Sequence, residues 1–281
     1  MIVVALVAGA AVAHATWNIA IKRAGTSGAG FLWLTFVVGS IVFAPFGIAS
    51  LQGVDLTRWL PLALVSGGLQ VGYFLLLQRA YRLGDVSVVY PLARGTGPLL
   101  SVLLAVVMLG ERPGWVALVG AAVVVTGVVI IGLAGGRAGA SVNRAGIIYG
   151  MLVGVVIAAY TLWDASAVTV GGMPPVGLYW GSVVFQLLLL AYPALRRASQ
   201  TRDIGRRHWV AVLIVGILSP LAYILILMAM QLAPVSIVAP AREVSVVLVG
   251  LAGWLLFKEP NPVQRLIGAA IVLCGVGLLA L

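Results

Sequence analysis

Ten polar side chains lie inside otherwise apolar stretches of this sequence: His14, Asn18, Gln70, Gln78, Arg79, Arg94, Asp164, Gln186, Arg242 and Glu243. An ionisable group in hydrocarbon is costly, so each should face a cavity or a partner, and together they mark the places where chemistry is possible. His14 and Asn18 are four residues apart with Trp17 between them, which puts all three near one face of a helix. Tyr160, Trp163 and Asp164 repeat that spacing later in the chain. Two such faces set opposite each other would line one cavity with aromatic walls and hydrogen-bonding groups. The plainer alternative is that these polar groups only bond neighbouring helices.

Tyr90 and Arg94 share another helical face, among Pro91, Gly95, Gly97 and Pro98, so that helix is expected to be kinked or unwound, freeing carbonyls to line the cavity. Pro240 occupies the matching place further on, just before Arg242 and Glu243. Arg94 aligns with Glu243, and the two are expected to meet as a charge pair. Arg242 would then be left for an anionic or carboxylate-bearing substrate, unless all three only lock helices together. Asp164 has no basic partner in its own stretch and is the candidate for proton coupling; a hydrogen-bonded, cavity-solvated Asp is the alternative. The substrate-binding candidates are therefore His14, Trp17, Asn18, Tyr90, Arg94, Tyr160, Trp163, Asp164, Arg242 and Glu243. No catalytic or metal-ligating set emerges and no cofactor is implied: HExxH, GxSxG and Walker signatures are missing, and the two histidines, His14 and His208, are far apart.

These residues are positioned by a chain of 281 residues that is 62% apolar and only 9% charged, with a mean hydropathy of +1.16. A soluble domain carries roughly 25% charged residues, so the solvent here must be mostly lipid. Runs of about 20 apolar residues, the length that spans ~30 Å of hydrocarbon as a helix, occupy 2–21, 30–50, 59–81, 86–109, 113–134, 145–168, 176–195, 208–230, 235–257 and 262–281. Asn18 and Trp17 have later counterparts and no basic segment precedes Ile2, so the first run is expected to be a retained helix rather than a cleaved signal. Cys274 is the single cysteine, so no internal disulfide can form. The formal charge of +10 sits at the ends of the runs, where it anchors helices, and does not suggest nucleic acid.

The halves repeat. Trp17-Asn18 matches Trp163-Asp164 at a displacement of 146, and Ala80, Ser87 and Pro91 match Ala229, Ser236 and Pro240 at 149. Glu111, Gly120 and Gly127 match Glu259, Gly268 and Gly275 at 148, within the similar stretches VGAAVVVTGVVIIG and IGAAIVLCGVGLLA. Five spans per copy is odd, so the second copy enters the membrane from the opposite side. The expected fold is an all-α integral membrane protein of ten transmembrane helices in two inverted five-helix repeats, 1–134 and 145–281, joined by a connecting loop over 135–144. The glycines at 120, 127, 268 and 275 are expected to bring the last helices of the two repeats together. Glu111 and Glu259 are expected to cap helix ends and make interfacial salt bridges. The run RRASQTRDIGRRH (196–208) is expected to be a solvated, cytoplasmic loop near anionic lipid head groups.

AHATWN near the start, the endings LGERP (109–113) and FKEP (257–260), and the Pro-containing fourth helix of each half resemble the EamA-type permeases of the drug/metabolite transporter superfamily. The resemblance spans the whole chain. It implies a multi-pass protein of the inner (plasma) membrane with a central cavity between the repeats, exporting or exchanging small metabolites such as amino acids by alternating access. It also implies cytoplasmic termini, whereas the Lys/Arg bias between the spans places both termini outside. A lipid-linked-sugar flippase and an intramembrane enzyme acting on a lipid or isoprenoid are the alternatives. Partners are expected to be a small solute and the bilayer, with the chain acting as a monomer or homodimer and not as an enzyme.

Overall fold

The computed structural model describes residues 1–26, 28–84, 86–134, 144–258 and 261–279. Every element in it is a helix: α1 (Ile2–Ala24), α2 (Ala29–Ser50), α3 (Leu56–Leu83), α4 (Val86–Met108), α5 (Trp115–Ala134) and α6 (Arg144–Thr169) come first. α7 (Pro175–Leu195), α8 (Ala198–Arg207), α9 (Trp209–Met230), α10 (Val235–Ala241), α11 (Val244–Phe257) and α12 (Pro262–Leu279) follow. Ten spans are long and apolar enough to cross a bilayer, with α10 and α11 together forming the ninth. Hydrocarbon offers no partners for backbone N–H and C=O, so these segments must bond internally as helices. The chain breaks where local chemistry ends a helix. Gly25 (φ 61°) closes α1 with its N–H on the Ile21 carbonyl. Asp55 caps α3, accepting from Thr57 N at 2.9 Å and Thr57 Oγ1 at 2.7 Å; these bonds hold its carboxyl below the usual carboxylate range.

The five-helix repeats are inverted and interleaved. Equivalent helices meet across the pseudo-two-fold, α2 on α7 and α5 on α12. Non-equivalent contacts come in pairs, α1 on α9 with α3 on α6, and α2 on α9 with α3 on α7. α5 and α12 touch through the four predicted glycines. A Cβ on Gly127 would sit 2.7 Å from the Gly268 carbonyl oxygen, and one on Gly275 would sit 2.8 Å from that of Gly120. Small residues give this pair its backbone-to-backbone approach.

Three expectations need correction. The run 196–208 is not a loop: it contains the helix α8, whose inner face carries buried Thr201, and Thr201 Oγ1 donates to the Ala194 carbonyl at 2.9 Å. A search for 20-residue apolar runs passes over a ten-residue amphipathic helix of this kind. The fourth helix is not unwound, because α4 is continuous through Pro91 and Pro98. The ninth span, read as one helix, is the broken one, interrupted at Arg242-Glu243. There Glu243 N bonds the Pro240 carbonyl, Ser245 N that of Arg242 and Val246 N that of Glu243, all i→i−3 bonds that tighten the chain. The readings made for the connecting loop, over 135–143, and for Glu259 lie outside the described residues.

Candidate functional site

A cavity of about 150 Å³ lies between the halves, reached by α1, α3, α4, α6, α7, α9 and α11 and by the break between α10 and α11. Its polar side is basic. Arg94 of α4, Arg242 at the break and His14 of α1 all line it. Aromatic rings, those of Trp17, Tyr73, Phe74, Tyr160, Tyr179 and Tyr223, make up much of the remaining wall, with small, aliphatic and neutral polar residues between them. The tyrosines interlock: Tyr160 lies edge-on to Tyr73 and to Tyr223, with ring centroids 5.9 Å apart in both cases.

The Arg94–Glu243 pair expected from the repeat alignment is present. Arg94 Nη1 lies 3.3 Å from Glu243 Oε2 and 3.4 Å from Oε1, and the Glu243 side chain is only 1% exposed. Arg94 Nη2 is 3.0 Å from His14 Nε2. A guanidinium can only donate, so His14 Nε2 must accept. Arg242 is not left free. Its Nε lies 3.5 Å from Glu243 Oε1 and its Nη1 donates to Thr161 Oγ1 at 3.2 Å. One carboxylate thus faces two guanidiniums. Arg242 and Glu243 are adjacent in sequence, and on a regular helix adjacent side chains point about 100° apart; the tightened turn lets both join one cluster. Two donors at the cavity, Trp17 Nε1 and Arg242 Nε, are buried without a hydrogen-bond partner.

The other predicted residues are placed differently. His14, Trp17, Arg94, Tyr160 and Arg242 line the cavity, whereas Asn18, Tyr90, Trp163, Asp164 and Glu243 are not among its lining residues. Asn18 Nδ2 bonds the His14 carbonyl at 2.7 Å, and Trp163 Nε1 bonds the Leu62 carbonyl at 3.0 Å. Tyr90 packs its ring against Arg94, whose guanidinium carbon is 5.7 Å from the ring centroid. Arg79 is exposed. Asp164 is fully buried one layer behind the wall, where its Oδ2 accepts from Tyr223 Oη at 2.8 Å and from Gln70 Nε2 at 3.3 Å.

Sequence reasoning found Tyr160 but missed Tyr73, Tyr179, Tyr223 and the surroundings of Asp164. Ser66, Gln70, Ser182 and Gln186 form a hydrogen-bonded group around it. A signal existed: SGGLQ (66–70) and SVVFQ (182–186) set Ser and Gln four apart in two apolar helices that pack together. Glu111 caps a helix end as expected, but one in the other half. Its two carboxylate oxygens accept from Val235 N at 2.7 Å and Ser236 N at 2.9 Å, closing the start of α10.

Two inverted five-helix repeats with a basic, aromatic chamber between them define a transporter architecture. The comparisons narrow this. The EamA-like transporter family matches residues 1–133 and again 144–281, and the chain belongs to that family. The function this fixes is that of a multi-pass membrane transporter of the drug/metabolite type. A solved structure titled only "Crystal structure of protein" has the same fold, at 20% identity and a TM-score of 0.80, covering 98% of this chain and 95% of that one. No curated protein matches.

Proposed function

We propose that the protein is a secondary permease for compact metabolites bearing a carboxylate, amino acids among them, and that it works by alternating access at the central cavity. The observation that carries the reading is the composition of that cavity. Arg94, Arg242 and His14 meet there with a single carboxylate, Glu243, between two guanidiniums. One positive charge is therefore left for the solute. The Trp17 N–H, buried without a hydrogen-bond partner, asks for an acceptor, and the tyrosine walls suit an apolar or aromatic side chain. A chamber of about 150 Å³ is small beside the ~300–1,000 Å³ of drug-sized sites. The physiological setting is export across the inner (plasma) membrane by a chain that holds both repeats and works as a monomer.

Alternating access has support in an asymmetry between two seams. α4 closes tightly on α6: Cβ atoms built on Gly150 and Gly154 would fall 3.1 Å from Leu92 Cβ and 2.6 Å from Thr96 Cβ. The symmetry-related seam joins α1 to the ninth span, and there α1 meets α11 but scarcely α10. Gly150 and Gly154 are buried, while Val4 and Ala8, which correspond to them at the displacement of 146, are exposed. One seam is shut and its counterpart is not, as a carrier in one of its end states requires.

The test is thermal unfolding of the purified protein against amino acids, other carboxylates, sugars, nucleobases and organic cations. A ligand that binds only the folded state raises the apparent Tm, and the rise continues with the logarithm of its concentration above Kd. Stabilisation by carboxylate-bearing compounds, lost in Arg242→Ala, is the expected result. Stabilisation by organic cations or lipid-linked sugars instead would overturn the substrate assignment.

A further inference from the structure

The polar group behind the cavity wall has a composition that the substrate chamber does not explain. Ser66 and Gln70 of α3, Asp164 of α6, and Ser182 and Gln186 of α7 are all buried, with Gln70 the most exposed at 7%. They converge closely. Ser66 Oγ donates to Ser182 Oγ at 3.2 Å, and Gln70 Nε2 reaches Ser66 Oγ at 3.1 Å and Ser182 Oγ at 3.3 Å. Gln186 Nε2 reaches Gln70 Oε1 and Ser182 Oγ, both at 3.1 Å. Two oxygens of this group, Asp164 Oδ1 and Gln186 Oε1, are buried and accept no hydrogen bond. The groups that hydrogen-bond Asp164, namely Ser66, Gln70 and Tyr223, are all neutral. An ionised carboxylate in such a place requires a counter-charge.

We propose that this cluster is a sodium site. One carboxylate, two hydroxyls and two primary amides make a set of hard oxygen donors with a single negative charge, which balances one monovalent cation. A divalent ion normally gathers several carboxylates, and among the described residues no group of three or more His, Cys, Asp and Glu side chains could hold one. Asp164 Oδ1 and Gln186 Oε1 supply the unused oxygens, and Ser66 and Ser182 turn lone pairs to the ion. Gln70 can turn Oε1 to the ion by rotation of its amide. Gln70 and Tyr223 bond Asp164 and also line the substrate chamber, so filling the site alters the chamber wall. That link makes sodium the coupling ion, and it rests on the transport reading; sodium binding itself does not.

The experiment is thermal unfolding of the intact protein in lipid nanodiscs, with sodium chloride replacing choline chloride at constant ionic strength and potassium chloride in parallel. Sodium should raise the Tm with the logarithm of its concentration, by about 2–5 °C over the titration, with potassium far less effective. Asp164→Asn should abolish the response and Ser182→Ala should move its onset to higher sodium. Arg242→Ala should keep the sodium response while losing that to carboxylates, which separates this proposal from the substrate assignment. Equal Tm values in sodium and choline overturn the proposal, as does a full sodium response in folded Asp164→Asn. A stabilisation that follows pH but not sodium, and disappears in Asp164→Asn, also overturns it and assigns the site to a proton. If Asp164→Asn does not fold, the Ser182→Ala titration decides, and an unshifted onset sinks the sodium site.

Discussion

α4 and the α10–α11 span share a sequence template, yet the helix richer in breakers is the continuous one. α4 runs unbroken through Pro91, Gly95, Gly97 and Pro98, whereas its counterpart, with Pro240 as its proline, opens at Arg242-Glu243. The difference tracks charge and packing. α4 contributes one charged group, Arg94, and lies against α6 along a seam of small residues. The ninth span contributes two adjacent charges that must both reach one buried cluster, and its first turn is held from outside by Glu111 of the other half. A proline removes one intrahelical bond; what its helix then does depends on the neighbours that hold it.

The strongest way to break this comparison is at Glu243. Glu243→Gln leaves Arg94 and Arg242 buried without their counter-charge, and removing one partner of a buried pair costs about 3–5 kcal/mol. The Tm should fall by more than in any other single variant of the cluster. If Glu243→Gln unfolds near the wild-type temperature, the cluster does not hold the break.

The two seams provide the next contrast. Gly154→Leu forces a side chain into Thr96 and Gly97, with an overpacking cost of about 1–3 kcal/mol. Ala8→Leu at the corresponding exposed place should leave stability within about 0.5 kcal/mol. If the open seam must close during transport, Ala8→Leu should nevertheless slow flux by at least about tenfold. A liposome uptake assay decides, and normal flux in that variant removes the moving seam from the mechanism.

Asn18 and Asp164 occupy equivalent places with unequal surroundings. Asn18→Ala removes a bond to the backbone of its own helix and should cost no more than about 1 kcal/mol. Asp164→Asn should preserve substrate binding but uncouple transport from the ion gradient, measured as the loss of concentrative uptake. Glu111→Gln weakens the cap on α10 by about 1 kcal/mol and should show locally, as faster amide exchange at Val235 and Ser236.

Much of this was legible beforehand, for reasons that can be named. Apolar run length gives the spans directly, since the bilayer sets it. The near-constant displacement between halves exposed the α5–α12 glycine contact and the Arg94–Glu243 pair, because pseudo-symmetry turns sequence alignment into spatial proximity. What helical spacing cannot give is rotation about the helix axis. His14 and Asn18 share a face by count, yet His14 meets the chamber and Asn18 turns back to its own backbone. Asp164 drew notice as a lone charge, but its neighbours come from α3, α7 and α9, and no periodicity within α6 points to them. The break at Arg242 escaped because proline signals pointed more strongly at α4.

The interleaving of the repeats also bears on how the protein is made. A ribosome delivers α1 to α5 to the membrane before α6 exists, but the helices those segments pack against come later: α9 for α1, α7 for α2, α6 and α7 for α3, and α12 for α5. The nascent first half must therefore wait in the bilayer with its glycine-rich and polar faces uncovered, until α12 is synthesised and seals α5.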